Sequence, residues 1–374
     1  MTIGILKEQP PETRVSLLPD AAASLTKQNI NVLIEKNAGR LAYAFDEAYL
    51  TKNINAIERS NIFSSEIILS INAFGEADLK QIKPNTILVG VYQPLFNAGL
   101  MKQWAERNIT VFSLDLMPRT TRAQSMDVLS SQANIAGYKA VLEAANIYPR
   151  YFPMFMTAAG SITPAKILIL GAGVAGLQAV ATARRLGAIV EVFDTRPAVK
   201  EEVMSLGAKF IEVEGAADAS KAGGYAVEQT EEYKQKQQQK IADSIAKADI
   251  VITTAQIPGK KAPVLITDEM LNTMKPGSVI IDLAAATGGN TLQTKNNETI
   301  QYNHVTIIGN SNLASTMPGD ASKLYGKNVL NFLQLIITKD GNINLNFDDD
   351  IVAGCCITHD GKIVNERVNS LINN

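Results

Sequence analysis

A glycine-rich turn between two apolar runs carries the residues whose types and spacing best suit chemistry. Residues 166–194 read KILILGAGVAGLQAVATARRLGAIVEVFD, so that Gly171, Gly173 and Gly176 precede a helical pattern and Asp194 ends the second run. This spacing is the fingerprint of a dinucleotide site in a strand–turn–helix–strand unit. The three glycines allow in turn a tight bend, the close approach of a pyrophosphate and close helix–strand packing, while the helix N-terminus offers N–H groups to phosphate. The pattern predicts a bound dinucleotide; an α/β turn that binds nothing is the alternative.

The acidic residue after the second run indicates which dinucleotide is bound. The Asp194 carboxylate can accept hydrogen bonds from an adenosine ribose diol and would repel a 2′-phosphate, which favours NAD(H) over NADP(H). Arg196 complicates this interpretation, because an arginine near this position accommodates the 2′-phosphate in some sites. With Asp194 present, we predict that Arg196 contacts the adenine or a phosphate.

The rest of the chain predicts the elements that must position this turn. Apolar runs alternate with helical patterns, as in parallel sheets. The predicted strands are Thr2–Leu6, Asn31–Glu35, Glu66–Asn72, Thr86–Tyr92, Thr110–Leu114, Lys166–Leu170, Ile189–Phe193, Lys209–Val213, Asp249–Thr253, Ser278–Leu283 and Val305–Ile308. The predicted helices include Ala21–Gln28, Ala98–Arg107 and two long connectors, Gln124–Ile147 and Ala321–Ile337.

These elements predict an α/β protein of two domains, which its 374 residues can accommodate. We expect both domains to be doubly wound, Rossmann-like parallel sheets joined by long helices, with the NAD cleft between them. The first would comprise residues 1–134 and 318–374, and the second residues 135–317. Within the second, residues 215–247 begin as a small, glycine-rich loop and continue as a polar helix; a loop of this length is usually functional or disordered.

Composition excludes several classes of function. The net charge of −2 and pI near 5.9 give no reason to expect binding to nucleic acid or to an anionic membrane surface. The N-terminus resembles a first strand, and no apolar run reaches about 18 residues, so we expect a soluble, cytoplasmic chain. Cys355 and Cys356 exclude a disulfide framework and are interpreted as buried strand residues rather than a vicinal redox pair. His304 and His359 have no metal-ligand spacing, so no metal site is expected.

A second group of polar residues lies just before the first long helix, in MPRTTRAQSMDVLSSQ. Its members are Arg119, Arg122, Gln124, Asp127 and Ser130. On spacing alone, a helix N-capping region with solvated charges is the favoured interpretation. The alternative is a ligand site, because ligands in such folds bind beyond the carboxyl ends of the strands, often between domains, where this loop would reach.

Five segments carry a resemblance to a known family. PRTTRAQSMDVLSSQANIAGYKAV, GAGVAGLQAVATARRLGAIVEVFDTRP, GGYAVE, TTAQIPGKKAPVLIT and MKPGSVIIDLAAATGGN strongly resemble the NAD(H)-binding component of proton-translocating NAD(P) transhydrogenase, the soluble first portion of a split α subunit. The resemblance covers essentially the whole chain. It implies direct hydride transfer between NAD(H) on this chain and NADP(H) on a β subunit, coupled to proton translocation. The implied partners are a second copy of the chain, the membrane-embedded second portion of the α subunit and the β subunit, with peripheral attachment on the cytoplasmic side of the inner membrane.

The resemblance also implies roles for individual residues. Gln124, Asp127 and Ser130 would orient the NAD ribose and carboxamide, with Arg119 nearby, as positioning groups without a general acid or base. The implied nucleotide contacts are Gln124, Ser125, Met126, Asp127, Gly171, Ala172, Gly173, Val174, Gly176, Asp194, Thr195, Arg196, Gly224, Tyr225, Gln237 and Gln256. The GGYAVE stretch resembles the family's mobile loop, which closes over nucleotide. Gln256 stands where the family usually has a leucine, and Ala286-Thr287 stands where it commonly has an acidic residue.

Alanine dehydrogenases resemble this family in fold and are the competing class. Such an enzyme must hold a carboxylate and move protons as well as a hydride. By resemblance it uses Arg, Lys, His and Asp; this chain keeps Arg14 but has Asn72, Tyr92-Gln93-Pro94 and Ala286 at the other positions. Transfer between two nicotinamides requires only positioning and the exclusion of water. The sequence therefore favours transhydrogenation, with an alanine dehydrogenase-like enzyme and a non-catalytic NAD-binding regulator as alternatives.

Overall fold

The computed structural model describes residues 1–215 and 230–372. They form two compact units, a first unit of Met1–Gln132 with Ser315–Asn374 and a second unit of Ala133–Ala314. Each unit is built on a largely parallel sheet with helices in the connections, so the predicted α/β fold class is confirmed.

The strands alternate with helices through most of the chain. The strands are β1 (Thr2–Ile5), β2 (Asn31–Glu35), β3 (Asn55–Ile57), β4 (Ile67–Leu69), β5 (Ile87–Gly90), β6 (Thr110–Ser113), β7 (Phe155–Thr157), β8 (Gly160–Ile162), β9 (Lys166–Leu170), β10 (Ile189–Phe193), β11 (Lys209–Phe210), β12 (Ile250–Thr253), β13 (Val279–Asp282), β14 (Thr299–Tyr302), β15 (Val305–Ile308), β16 (Cys356–His359) and β17 (Lys362–Ile363). The helices are α1 (Pro19–Thr26), α2 (Asp46–Leu50), α3 (Arg59–Ile62), α4 (Glu76–Leu79), α5 (Ala98–Glu106), α6 (Val128–Ile147), α7 (Val174–Arg185), α8 (Lys200–Ser205), α9 (Glu231–Ile245), α10 (Asp268–Thr273), α11 (Pro318–Ile336), α12 (Asp350–Cys355) and α13 (Glu366–Ser370).

The first unit contains a sheet in the order β17-β16-β6-β5-β4-β1-β2-β3. Strands β1 to β6 are parallel, and β1 pairs with both β2 and β4, so the direction of winding reverses between β1 and β4. Apolar side chains form a core on each face, one of them against α11 and the other around Trp104 of α5. Because both faces are covered, β4, β5 and β6 are buried along their whole length.

The second unit contains a sheet in the order β11-β10-β9-β12-β13-β15-β14, parallel except for β14. Without β14 this is the order of the dinucleotide-binding fold. The central strand β9 pairs with β10 on one side and β12 on the other, so the winding reverses beside it. The glycine turn therefore leaves the sheet at its topological switch point, where ligands bind in open α/β sheets.

Several boundaries differ from the prediction. The first long helix was expected from Gln124, but α6 begins at Val128, and Gln124–Met126 forms a separate 3₁₀ turn. The reason is local: Asp127 leaves the helical conformation, with ψ at 92°, and its side chain accepts the backbone N–H of Ser130. The antiparallel strands β7, β8, β14, β16 and β17 and the short β3 are not among the predicted strands, although Cys356 of β16 is predicted to be a buried strand residue.

Both cysteines are free and fully buried, as expected, although Cys355 ends α12 and only Cys356 lies in a strand. Burial raises the pKa of Cys356 to about 12 and that of Cys355 further, so both thiols stay protonated at neutral pH. Among the residues that the structure describes, no helix combines the length and apolarity needed to cross a membrane.

Candidate nucleotide-binding site

The glycine turn of the second unit has two positions that only glycine can fill. Gly171, directly after β9, has φ at +106°, and a Cβ there would lie 2.3 Å from the hydroxyl of Thr254. In α7, a Cβ on Gly176 would lie 1.9 Å from the carbonyl oxygen of Gly171. The first position requires the left-handed conformation, and the second lets the helix approach the strand closely.

The third glycine of the turn is open rather than crowded. Gly173 is the N-cap of α7 in an extended conformation, and nothing in the described chain lies within 4 Å of where its Cβ would be. No described side chain caps this helix, and the next residue, Val174, is 41% exposed. The N-terminal end of this 12-residue helix, where the positive end of its dipole lies, is therefore open at Gly173 and Val174.

Asp194 connects the end of β10 to this turn. Its Oδ2 accepts the backbone N–H of Ala172 at 2.7 Å, and its Oδ1 accepts that of Arg196 at 2.8 Å. The Arg196 guanidinium adds Nε to Oδ1 at 2.9 Å and Nη2 to Oδ2 at 2.8 Å. Asp194 is buried, and this pairing raises the pKa of Arg196. The sequence predicts that Asp194 binds the ribose and that Arg196 contacts the adenine or a phosphate. In the structure the two side chains form an ion pair with each other.

The other predicted nucleotide contacts of the second unit are dispersed. Thr195 follows Asp194 and is half-buried, and Gln237 is half-buried on α9. Gln256 lies in the exposed segment after β12, where its Nε2 donates to the carbonyl of Leu283 at 2.8 Å. Gly224 and Tyr225, with the predicted mobile loop, lie outside the described residues.

The polar loop before α6 encloses a pocket within the first unit. The pocket has a volume of about 310 Å³ and is lined by Pro118, Arg119, Thr120, Thr121, Ala123, Gln124, Asp127 and Ser130. The structure thus brings together the four residues that the resemblance names as positioning groups. It is a polar pocket at the N-terminal end of α6, formed by a loop, a 3₁₀ turn and the first turn of the helix.

The capping interpretation of this loop also holds. Asp127 accepts the N–H of Ser130 at 2.9 Å through Oδ1 and its hydroxyl at 2.6 Å through Oδ2. Met126 is buried in the core, so only its backbone can face a ligand, and the carbonyl of Ser125 accepts amide hydrogens from Asn328 and Asn331. Capping and ligand binding are compatible, because a carboxylate accepts more hydrogen bonds than these two.

Arg122 forms ion pairs with two aspartates and does not line the pocket. Its guanidinium pairs with Asp349 at 2.6 Å and with Asp350, both at the start of α12. This arginine lowers the pKa of Asp349 to about 2, and Asp349 also caps α12 by accepting the N–H of Ile351. Arg122 therefore holds the loop to α12, and it is not among the residues that line the pocket.

Three of the four positions that would carry alanine dehydrogenase chemistry lack the required group, and Arg14 is the one that is kept. Asn72 donates its amide to Glu8 and Glu12, at 3.2 and 3.3 Å. Tyr92 is buried against Trp104, and its hydroxyl contacts that of Ser70 at 3.0 Å. Ala286 is an exposed residue of a 3₁₀ turn. None of these three side chains offers an acid or base that titrates near neutral pH, because burial and neighbouring negative charge raise the pKa of Tyr92 far above its usual value.

Sequence reasoning missed a pair of buried carboxylates at the switch point of the first unit. Glu8 follows β1, and its carboxylate accepts the N–H groups of Ile71 at 2.5 Å and Asn72 at 3.1 Å, just beyond β4. Burial raises the pKa of Glu8 to about 7. Acidic residues directly after a buried parallel strand were the available signal.

The second carboxylate of this pair carries an ion pair. Glu12 binds Arg14 at 2.6 Å and accepts the hydroxyl of Ser315 at 2.9 Å, while Arg14 also donates to Gln132 at 2.7 Å. Burial acts to raise the pKa of Glu12, but the hydrogen bonds and charge of Arg14 outweigh it and lower the pKa to about 2.

Comparison with known proteins assigns the family. Models described as the N-terminal and C-terminal domains of alanine dehydrogenase/PNT match residues 4–136 and 140–366. The first portion of NAD(P) transhydrogenase subunit alpha from Rickettsia prowazekii (strain Madrid E) is 45% identical over the full length of both chains. The chain belongs to the NAD(P) transhydrogenase α-subunit family. The predicted family is confirmed, and with it an oxidoreductase type with NAD(P)-binding, Rossmann-like domains.

Solved structures agree with this assignment. The crystal structure of transhydrogenase from Sinorhizobium meliloti superimposes with a TM-score of 0.89 at 41% identity, covering 97% of this chain and 100% of that one. An L-alanine dehydrogenase superimposes with a TM-score of 0.82 at 21% identity, covering 100% and 99%. The second match shows a common fold, so the difference between the two enzyme classes must come from individual residues.

Proposed function

We propose that this chain binds NAD(H) and that the bound nucleotide exchanges a hydride directly with NADP(H) held by a partner subunit. The observation that carries the proposal is the glycine turn at the switch point of the second unit, closed by Asp194. The turn fits the cofactor, because Gly171 and Gly176 exclude side chains while the backbone beyond Gly173 is open. When bound, the nicotinamide ring supplies the hydride; the chain supplies binding and orientation.

The roles proposed for the residues rest on the resemblance and agree with their chemistry. Backbone N–H groups at the start of α7 would hold the pyrophosphate, and Asp194 with Thr195 would hold the adenosine ribose. On the first unit, Arg119, Gln124 and the mutually bonded Asp127 and Ser130 would orient the nicotinamide ribose and carboxamide. Fixed donors and acceptors suit a reaction whose barrier is lowered by orientation.

The alternative of an amino-acid dehydrogenase is less well supported. Asn72, Tyr92 and Ala286 stand where such an enzyme needs a cation, an imidazole and a carboxylate. His304 lies in the turn between β14 and β15, and His359 on β16 contacts Thr110 at 3.1 Å. Neither is among the residues that line the polar pocket.

The proposed partners rest on the resemblance and on the name of the Rickettsia relative, which is one portion of an α subunit. We propose that a membrane-embedded second portion of the α subunit and a β subunit carrying NADP(H) complete the complex. The chain would then attach peripherally to the cytoplasmic side of the inner membrane, and hydride transfer would be coupled to proton translocation.

A reconstitution assay tests the function. With NADH and an NADP⁺ analogue, the purified chain is expected to give no turnover alone and clear turnover once an NADP-binding partner domain is added, because the second nicotinamide arrives on that domain. Absorbance of the reduced analogue reports the reaction. Oxidation of NADH by the chain alone with pyruvate and ammonia would instead establish an alanine dehydrogenase-like enzyme. No activity in either assay would favour a non-catalytic NAD-binding regulator.

We also propose that the chain forms a homodimer, the second copy that the resemblance implies, and an exposed apolar hairpin supports this. Within the part of the chain that the structure describes, strands β7 and β8 pair only with each other, and Met154, Phe155 and Met156 are 64%, 43% and 72% exposed. The nearby Tyr151 is 51% exposed and stacks on Phe155 with ring centroids 5.2 Å apart. A two-stranded hairpin is marginally stable alone, and a contiguous apolar patch marks an interaction surface.

Charge introduced into this hairpin is expected to give monomers. The M154K/M156K variant should sediment with the mass of one chain, 40.3 kDa, and the unaltered chain with twice that mass, because a dimer interface would bury both lysines unpaired. Met204→Lys is the matched control, since Met204 is 56% exposed on α8 and should leave the dimer intact. A dimer that survives the double substitution would show that the hairpin is not the interface.

A further inference from the structure

The carboxylate of Asp194 is saturated with hydrogen bonds. A carboxylate has about four acceptor sites, two on each oxygen. Oδ1 accepts the backbone N–H and Nε of Arg196, and Oδ2 accepts Nη2 of Arg196 and the N–H of Ala172, with all four distances between 2.7 and 2.9 Å. A ribose diol therefore has to replace donors that are already in place.

The donors that can be replaced belong to the guanidinium. The N–H groups of Ala172 and Arg196 are fixed by the backbone, and the first holds Asp194 to the glycine turn. The Arg196 side chain is 20% exposed, whereas the Asp194 side chain is only 6% exposed, so the guanidinium is the group of this pair that a ligand can reach. Two guanidinium donors would leave, and two ribose hydroxyls would take their sites.

We propose that Arg196 is a specificity-determining residue, a latent 2′-phosphate ligand that the Asp194 carboxylate keeps engaged. The inference rests on the proposed NAD(H) site. Its chemistry is direct: a guanidinium binds phosphate as readily as carboxylate, with two parallel hydrogen bonds. Asp194 thus disfavours NADP(H) in two ways, by repelling a 2′-phosphate and by retaining the cation that would bind it.

A latent Arg196 ligand and simple repulsion by Asp194 predict different NADPH affinities for a variant in which both residues are substituted. If repulsion alone set the preference, removal of the Asp194 charge would improve NADPH binding whether or not Arg196 were present. If Arg196 is the latent ligand, most of that improvement requires its guanidinium. The two side chains should therefore be strongly coupled in their effect on NADPH binding and not independent.

The experiment measures NADH and NADPH dissociation constants for the full chain by nucleotide fluorescence. Adenosine 2′,5′-bisphosphate and ADP serve as probes without nicotinamide in calorimetry. The variants are D194N, R196A and D194N/R196A, with R185A as the control, because Arg185 is an exposed arginine at the far end of α7. Asparagine keeps an acceptor for the N–H of Ala172, and D194A with D194A/R196A repeats the comparison should D194N fold poorly.

D194N is expected to bind NADPH and the bisphosphate about tenfold more tightly than the unaltered chain, and NADH more weakly. D194N/R196A should lose most of the gain, while R196A and R185A should show none. An equal gain in D194N and D194N/R196A would overturn the inference and leave the NAD(H) site standing. Failure of the unaltered chain to bind NADH or ADP would overturn the proposed function and the inference with it.

Discussion

Gly173→Ala is expected to weaken NADH binding about a hundredfold while leaving the fold of the second unit intact. The new methyl group meets no atom of the described chain within 4 Å, so the chain itself can accommodate it. It projects, however, where we place the pyrophosphate, and it would hold the phosphates away from the N–H groups of α7. Loss of two charge-assisted hydrogen bonds costs about 3 kcal/mol, which corresponds to that factor.

Gly176→Ala provides the matched contrast. Its Cβ would lie 1.9 Å from the carbonyl oxygen of Gly171, so the helix and the turn have to move apart. We expect a loss of stability of about 1–3 kcal/mol together with lost binding, whereas an alanine at the N-cap position of Gly173 costs about 1 kcal/mol or less. NADH titration and thermal unfolding of both variants separate the two effects. Unchanged NADH affinity in Gly173→Ala would place the pyrophosphate elsewhere.

The glycine turn could be predicted from sequence because its determinants are local. The bounds of β9 and β10 agree with the prediction at both ends. An apolar run buried on both faces, a turn that only glycine can adopt and an acidic residue at the next strand end all lie within 29 residues of chain. No distant contact is needed to specify them.

The missed strands show where such reasoning ends. Strands β16 and β17 have four and two residues, and β16 joins the sheet only by antiparallel pairing with β6, more than 200 residues earlier in the chain. Short segments carry too little periodicity to be recognised alone. Their place depends on an edge that exists only after the parallel sheet has formed.

In the candidate site, too, features set by neighbouring residues could be predicted, and features set by distant contacts could not. The residue types at Asp194 and Arg196 were read from the sequence, yet their mutual pairing was not, because spacing does not determine a rotamer. Glu8 was missed for a different reason. Its partners at Ile71 and Asn72 are 63 and 64 residues away, and they meet it only because β1 and β4 are neighbours in the sheet.

The raised pKa of Glu8 predicts that the free energy of unfolding declines as the pH rises toward neutrality. Burial raises its pKa from 4.5 to about 7, and the negative charge of Glu12 acts in the same direction. The hydrogen bonds from Ile71 and Asn72 oppose the shift without cancelling it. The phenols of Tyr92 and Tyr325 also lie within electrostatic reach of Glu8, as does Arg14, but none of these three loses its proton near neutral pH.

The folded chain therefore retains a proton between pH 4.5 and about 7 that the unfolded chain has released. Its free energy of unfolding falls across this window, by about 3 kcal/mol in all, since each pKa unit is worth about 1.4 kcal/mol. Glu12 has the opposite effect: its lowered pKa adds stability that is present above pH 4.5 and is lost as the pH falls through about 2. The combined contribution of these two carboxylates to the stability of the first unit is therefore largest near pH 4.5.

Glu8→Gln is expected to remove the decline in the free energy of unfolding between pH 4.5 and about 7. The amide resembles the protonated acid and cannot release a proton, so the variant should match the unaltered chain at pH 5 and unfold at a higher temperature at pH 8. At 2–4 °C per kcal/mol, the difference at pH 8 is about 6–12 °C. Calorimetry at pH 5, 6.5 and 8 resolves the transition of the first unit, and Glu47→Gln, an exposed carboxylate on α2, controls for lost surface charge. Parallel pH profiles for Glu8→Gln and the unaltered chain would mean that Glu8 is ionised throughout this range and that its buried charge is fully stabilised by the N–H groups of Ile71 and Asn72.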